Sequence, residues 1–398
     1  MATSTDEELR ARAARLTVAH DGEAWILGRP ELGVFVAVPE PGAVFVTTLQ
    51  DTGSLDEATA RAGDVAGEPV DGADFLDGLT AAGLLDPPGE QPDPRGRVKW
   101  IEGVSPRTAR RLFGPVAWSC YGAAAVLSAG LLLFRPELRP SWQDAWFLPS
   151  PGLSAFIWLL LAMACGAVHE AWHWLAGRAI DVPAVFRVSH RGLYLVYETD
   201  LTQIVTVPRQ RRHGVYLAGM AVDVVLLAAS LGARLLGVGG VAGDFLAAVS
   251  LLLVVNLVWQ WAALPLRSDA YALLANALRC HNLYRATWLT AKSRLFRLSP
   301  PEANELAQMS ERDRSVARWF VIPYVAGVAV MGWMFATVVL PLVVSLGQWG
   351  LERLTSGSVT SAGFWEALAV AVYIGVQLCV PPALALRERR LRRSGRLL

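Results

Sequence analysis

The sequence predicts a polytopic α-helical membrane protein, with about six transmembrane helices behind a small N-terminal α+β domain. Three observations point to this class. Of 398 residues, 53% are hydrophobic and only 18% charged, where a soluble domain carries about 25% charged residues. From about residue 113 onward the apolar residues gather into runs that approach or exceed the roughly 20 residues needed to cross a hydrocarbon core. Residues 1 to about 90 contain no such run and read as soluble. The net charge of +1 offers no global attraction to nucleic acid, so no nucleic-acid partner is expected. Cys120, Cys165, Cys280 and Cys379 are scattered, with no spacing for a disulfide framework or a cysteine metal site. The polar N-terminus lacks an apolar h-region, so no cleavable signal peptide is expected.

Residues 1–14 read as a tail and 15–88 as a folded domain. Leu16–Ala19 and Glu23–Leu27 form two strands around His20-Asp21-Gly22, where Asp-Gly favours a tight turn. Gly33–Val38 is a third strand and Pro39–Leu49 a helix. Ser54-Leu55-Asp56-Glu57 is a capping box that opens a second helix. Asp74–Ala82 makes a third, closed by Gly83. Residues 89–112, rich in Pro and Gly over 91–106, read as a linker to a transmembrane domain over 113–398.

Six spans are expected, near 114–134, 153–177, 214–236, 244–266, 316–346 and 364–386. The fifth is long, and tilting or a break at Pro341 would accommodate it. Arginine-rich flanks set the orientation. They precede the first span, fill the 178–213 and 267–315 loops, and end the chain, so both termini are expected on the cytoplasmic side of a cell membrane. The 178–213 loop holds two β-like runs, Ala184–Val188 and Leu193–Tyr197, with His190-Arg191-Gly192 as a hairpin turn. Residues 283–298 mix Trp288, Leu295 and Phe296 with Arg285, Lys292 and Arg294, the pattern of an interfacial amphipathic helix; an ordinary solvated helix fits as well. Ser299 and Glu302 around Pro300-Pro301 form another capping box.

The second span contains His169-Glu170-Ala171-Trp172-His173. On a helix, positions i and i+4 share one face, so both imidazoles can reach one ion. Zinc suits imidazole and carboxylate ligands, and a catalytic site keeps one position for water, whose pKa falls to about 7. Glu170 can take that water's proton and pass it to a leaving amine. Two core histidines with an incidental glutamate are the bland alternative. Ionisable groups at membrane depth are costly and mark sites, which argues against it. Two histidines need a third ligand, and Asp223, Asp269, Asp200, His190 and His213 are the candidates. Asp223 sits mid-span, too deep to meet His173 comfortably. Asp269 follows the fourth span and shares a membrane face with the end of the HExxH helix. Asn256 lies about three to four turns upstream of it and reads by itself as a polar bond between helices.

The segment Asn256 … Leu264-Pro265-Leu266-Arg267-Ser268-Asp269-Ala270, taken with HExxH, resembles the site-2 protease family of intramembrane zinc metallopeptidases. Ala218-Gly219-Met220-Ala221-Val222-Asp223 resembles that family's small-residue stretch ending in Asn or Asp. Tyr197-Glu198-Thr199-Asp200-Leu201-Thr202 resembles a segment of its bacterial peptide-processing branch. The resemblance spans about 150–275. It implies one zinc ion held by His169, His173 and Asp269, Glu170 as catalytic base, and Asn256 and Asp223 as residues that bind or orient substrate or a neighbour. Ala270 stands where the family carries Gly, and no Pro follows Asn256, which affects the backbone path around Asp269 more than the ligand.

In the first domain, Trp25-Ile26-Leu27 … Gly33–Val38 … Ser54-Leu55-Asp56-Glu57 … Phe75-Leu76-Asp77-Gly78-Leu79 … Gly83-Leu84-Leu85 resembles the PqqD-like, winged-helix-like domains that recognise leaders of ribosomally made, modified peptides. The resemblance implies a leader added as a strand beside the third strand and against the last helix, near Val34, Val36, Phe75 and Leu79. These residues also fit a plain core.

The combined expectation is an intramembrane zinc endopeptidase that matures a ribosomally synthesised precursor peptide within the lipid bilayer, with peptide-modifying enzymes or an exporter as further partners. Regulated proteolysis of a membrane-anchored regulator would use the same chemistry, but this sequence shows no periplasmic-type peptide-binding domain. A non-catalytic membrane chaperone, export or immunity factor is the third reading, and the intact His169, Glu170 and His173 weigh against it.

Overall fold

The computed structural model describes residues 4–22, 24–30, 32, 34–85, 104–182, 184–191 and 194–393; for 4–5, 185–198, 200, 202, 377–378 and 380–393 the description covers backbone only. Two compact units emerge. The first comprises 1–106 with 177–185 and 200–213; the second holds the rest of the chain.

The first unit opens with helix α1 (Ser4–Ala13), where a tail was expected. Its apolar content is low, so the sequence shows little helical periodicity. Leu9 and Ala13 nevertheless pack into the domain core. Gln50 donates to the carbonyls of Ala13 and Leu16, and Arg12 donates to that of Leu85, which pins the helix end. Strands β1 (Thr17–Asp21), β2 (Ala24–Arg29) and β3 (Val34–Val38) form an antiparallel sheet in that order. Gly22 takes the left-handed φ of 76° that the Asp-Gly turn requires. Helices α2 (Glu40–Thr52), α3 (Leu55–Ala66) and α4 (Gly72–Ala81) follow. Ser54 caps α3 by accepting from Glu57 N–H, one half of the expected capping box; Ser54 N–H goes instead to the Thr52 hydroxyl, and the Glu57 carboxylate pairs with Arg61. Asp71 caps α4, which starts two residues earlier than expected. Phe45, Val46 and Leu49 of α2 fill the core between sheet and helices.

Asp21, at the end of β1, is buried and receives three charged hydrogen bonds. Arg209 donates to both its oxygens at 2.7 and 2.8 Å, and Arg212 donates at 2.9 Å. Arg212 also donates to the carbonyls of Val205 and Val207. The site is dry enough that an unpaired member would be costly. Burial raises the Asp21 carboxyl, but the Arg209 hydrogen bond and the Arg212 and Arg209 charges outweigh it and hold the group below its ordinary value.

In the second unit, α5 (Pro106–Leu112) and α6 (Pro115–Phe134) come first. Residues 106–112, expected as linker, are thus helical; Pro106 at a first helical position explains the start. Residues 89–103 of that expected linker lie outside the described set. Helix α7 (Pro151–Ala179) carries HExxH. Strands β4 (Val185–Arg191) and β5 (Tyr194–Asp200) form the expected two-stranded sheet, with His190 and Arg191 inside β4 and not in the turn. Then come α8 (Arg209–Leu235), α9 (Gly240–Ala262), α10 (Asp269–Ala277), α11 (Leu283–Leu295) and α12 (Pro300–Gln308). Helix α13 (Glu311–Met334) runs through a π-helical turn at Phe335–Val339 into α14 (Leu340–Ser356), and α15 (Ala362–Arg393) ends the described chain. Pro341 therefore causes no break. It lacks an amide hydrogen, and the widened turn before it absorbs the missing bond.

Five helical segments are long and apolar enough to cross a membrane: Pro106–Phe134, Pro151–Ala179, Arg209–Leu235, Gly240–Ala262 and Glu311–Ser356. The sixth expected span falls on α15, whose apolar part within the described residues, Ala362–Val376, is shorter than a crossing requires. Helices α8 and α9 are the inner pair: 56% and 33% of their apolar windows are buried, against 11% for α7. Leu227 and Leu231 pack on Leu253 between them, and Ser230 and Ser250 hydroxyls meet at 3.0 Å. Helix α11 turns Leu283, Ala286 and Leu289 inward and leaves Trp288 and Leu295 outside. The Ser299–Glu302 box at α12 is formed, with Ser299 N–H donating to Glu302 at 2.9 Å.

Replacing Asp21 by Asn should destabilise the folded chain by about 3 kcal/mol, since one partner of a buried ion pair is removed; thermal unfolding in detergent measures it. The native pairing stabilises fully above the unfolded carboxyl value of about 4 and is lost as pH falls through the lower folded value. The acid limb of the unfolding profile should therefore flatten in the Asn variant, and an unchanged limb would refute the assignment.

Candidate metal centre

Helical spacing places His169 and His173 one above the other on α7, and α8 and the start of α10 hold their partners. His169 Nε2 and His173 Nε2 stand 3.2 Å apart, and Asp269 Oδ2 lies 3.0 Å from the first and 3.1 Å from the second. Both imidazoles are buried. Among the described residues these three form the group that could hold a metal ion. Two ring nitrogens this close, beside a carboxylate oxygen, need a proton or a cation to share the space. Ligands of one tetrahedral zinc ion at about 2.0–2.1 Å would stand about 3.3 Å from each other, so the spacing fits such an ion with little adjustment.

The far side of each ring is also fixed. His169 Nδ1 lies 2.7 Å from Asp223 Oδ2, and His173 Nδ1 lies 2.8 Å from the Val215 carbonyl oxygen. Both partners only accept, so both Nδ1 atoms carry the proton and both Nε2 atoms face the cluster. Such outer partners set ring orientation and ligand basicity in metal sites. Asn256 Nδ2 in turn donates to Asp223 Oδ2 at 2.8 Å. Asp223 and Asn256 thus stand behind His169, which fits the part of their expected role that orients a neighbour. An imidazole offers a second nitrogen on its other side, and Asp223 meets His169 through it.

Gly219, one turn before Asp223, explains the small-residue stretch. A Cβ there would run into the His169 ring, so only glycine lets α8 approach. Trp172, inside HExxH, donates to the Tyr121 hydroxyl at 3.2 Å, and Tyr121 donates to the Leu112 carbonyl. These bonds tie α7 to α6.

Asp269 reaches the histidines through a built turn. After α9, Leu264–Leu266 forms a 3-10 turn and Arg267 adopts a left-handed φ of 58°, with its guanidinium 4.3 Å from the centre of the Tyr284 ring. Ser268 then caps α10, donates to the Gln260 carbonyl at 2.6 Å and accepts from Tyr271 N–H. Gln260 Oε1 accepts from Asp269 N–H at 3.1 Å. Asp269 is thus the first residue of a helix. Ala270 needs no special conformation and is fully buried against Leu264, Leu283 and Phe320. The side chain of Asp269 is 32% exposed, which makes it the open side of the cluster.

Glu170 is not part of the triad. Its Oε2 accepts from Thr199 N–H at 2.8 Å, at the end of β5. His213 lies outside the cluster, and the side chains of His190 and Asp200 are not among those described. In the first unit, Val34 and Val36 turn toward the domain core, Phe75 packs edge-on against Phe45, and Leu79 is a core residue at 3% exposure. Strand β3 pairs only with β2 among the described residues, so its outer edge offers backbone groups. Leu79 itself does not present a surface. The groups that sequence reading missed were Val215, Gly219, Gln260 and Thr199. Gly219 and Thr199 each lay in a stretch that the sequence singles out, 218–223 and 197–202, but without a role of their own; Val215 and Gln260 had no signal. Comparison with protein-family models, with curated proteins and with solved structures finds no match to this chain.

Asp269→Ala should abolish stoichiometric metal binding, whereas Asp223→Asn should keep the site and weaken its affinity by about 10–100-fold. Metal analysis of the purified protein and competition with a chelator separate the two. Equal metal content in wild type and Asp269→Ala would exclude Asp269 as a ligand.

Proposed function

We propose that this protein is an intramembrane zinc endopeptidase that cleaves a ribosomally made precursor peptide. The observation that supports it is the convergence of His169 Nε2, His173 Nε2 and Asp269 Oδ2 beside Glu170 on an apolar helix. Two imidazoles and a carboxylate suit zinc. The resemblance to site-2 proteases supports the same reading. By the arginine distribution, the site lies toward the cytoplasmic face and both termini are cytoplasmic.

Bound zinc would polarise the scissile carbonyl and make water acidic. The protein's own groups do the rest. Asp223 and the Val215 carbonyl hold the two rings with Nε2 forward. Glu170 takes a proton from the attacking water as the new C–O bond forms. It then returns the proton to the peptide nitrogen as the C–N bond breaks, so a carboxylate and an amine leave. The inner helices α8 and α9 keep bulk water from the buried rings, and substrate enters on the Asp269 side.

The first unit supports the choice of substrate. Its three-stranded sheet, whose outer strand β3 pairs only with β2 among the described residues, suits addition of an extended leader, whose backbone bonds give affinity. Leu79 then acts by shaping the domain from the core side, and half-buried Val34, Val36 and Phe75 can touch the peptide as well. Tethering by the leader raises the local concentration of the scissile segment.

Glu170→Gln should lower cleavage of a leader-bearing precursor peptide by about 10³-fold or more, with metal content retained. Wild-type turnover in that variant would overturn the hydrolytic mechanism. Excess free leader segment should compete with processing of the full precursor and leave a leaderless peptide unaffected. Processing indifferent to free leader would remove the recognition role of the first unit.

A further inference from the structure

The segment Tyr197–Thr202 has no part in the metal triad, yet Thr199 makes two bonds to the presumed base. Its N–H donates to Glu170 Oε2 at 2.8 Å, and its hydroxyl Oγ1 donates to the Glu170 backbone carbonyl at 2.9 Å. One residue of β5 thus grips both the side chain and the main chain of Glu170. A glutamate has three rotatable side-chain torsions, and a carboxylate beside a metal site can swing away or become a ligand itself. The main-chain bond fixes the strand end to α7, and the N–H then fixes the carboxylate relative to the strand. With Oε2 held, Oε1 is the oxygen that meets water.

We infer that Thr199 is the positioning residue for Glu170, holding the general base in its working rotamer through the backbone N–H and anchoring that N–H through the hydroxyl. This inference rests on the hydrolytic reading above. It has three consequences for substitutions. Serine keeps both bonds. Valine keeps the shape and the N–H but loses the anchor. Proline removes the N–H itself.

The test measures kcat, KM and zinc content for Thr199→Ser, Thr199→Val and Thr199→Pro in the full-length protein, with Glu170→Gln alongside. Thr199→Ser should stay within about 3-fold of wild type, Thr199→Val should lose about 10-fold in kcat, and Thr199→Pro should fall toward Glu170→Gln, because a misplaced base loses most of its roughly 10²–10⁴-fold contribution. KM and zinc content should not move. Wild-type kcat in Thr199→Val overturns the anchor, as does a loss in which serine does no better than valine. A kcat loss matched by zinc loss shows a structural role and overturns the inference as well. If Thr199→Pro fails to fold, the serine and valine pair decides alone. An inactive Glu170→Gln with unaffected Thr199 variants sinks only this inference, whereas an active Glu170→Gln sinks the hydrolytic reading beneath it.

Discussion

Everything in the second unit is arranged around one electrostatic demand: two imidazole nitrogens 3.2 Å apart, facing a carboxylate, must share positive charge. Such a cluster is unfavourable in an apolar bundle unless every other polar atom nearby has a partner. Asp223 and the Val215 carbonyl occupy the opposite nitrogens, Asn256 occupies Asp223, and Gln260 occupies the Asp269 amide. Each of these comes from α8 or α9. The burial of those two helices follows from the need to surround the cluster, and the apolar outer faces of α6 and α7 follow from what is left.

Close packing serves the same demand. Gly219 lets α8 approach the His169 ring, and Gly327 does the equivalent for α13 against the end of α9, where a Cβ would meet the Ala262 carbonyl. Side chains from α10, α11 and α13 then converge beneath Asp269: Ala270, Leu283, Val316 and Phe320 make one buried cluster. The Asp269 carboxylate stands on this apolar floor. Its helix cannot shift without opening a cavity.

Much of this was legible in the sequence, and the unreadable parts share a cause. HExxH spacing determines a shared helix face, so His169 and His173 could be paired from letters alone. Asp269 was readable because charge distribution places it at the matching end of α9. The strands and caps of the first domain carry side-chain signals, such as Ser54 and Glu57. By contrast, Val215 acts through a carbonyl and Thr199 largely through an amide, and every residue type has those. Helix α1 was read as a tail because only Leu9 and Ala13 make its contact face, too few to show a period. Asp223 was expected to orient a neighbour, but which neighbour was not legible, because a one-dimensional reading treats histidine as a point with a single ligand atom. The Pro341 site shows a further limit. Proline announces a missing donor, and the sequence does not say whether the helix will break or widen.

The turn at Ala263–Ser268 also constrains length. It joins two helices by a 3-10 turn, a left-handed Arg267 and a capping Ser268, so the position of Asp269 is an angle as much as a distance. Each residue advances a helix by about 100°. Adding or removing a single residue at the end of α9 would swing the carboxylate about a third of the way around and aim it at the apolar floor. The residue count of this turn is what sets that angle. The connection works as a phase setting, and chains that keep the histidines while changing its length would keep the cleft and lose the centre.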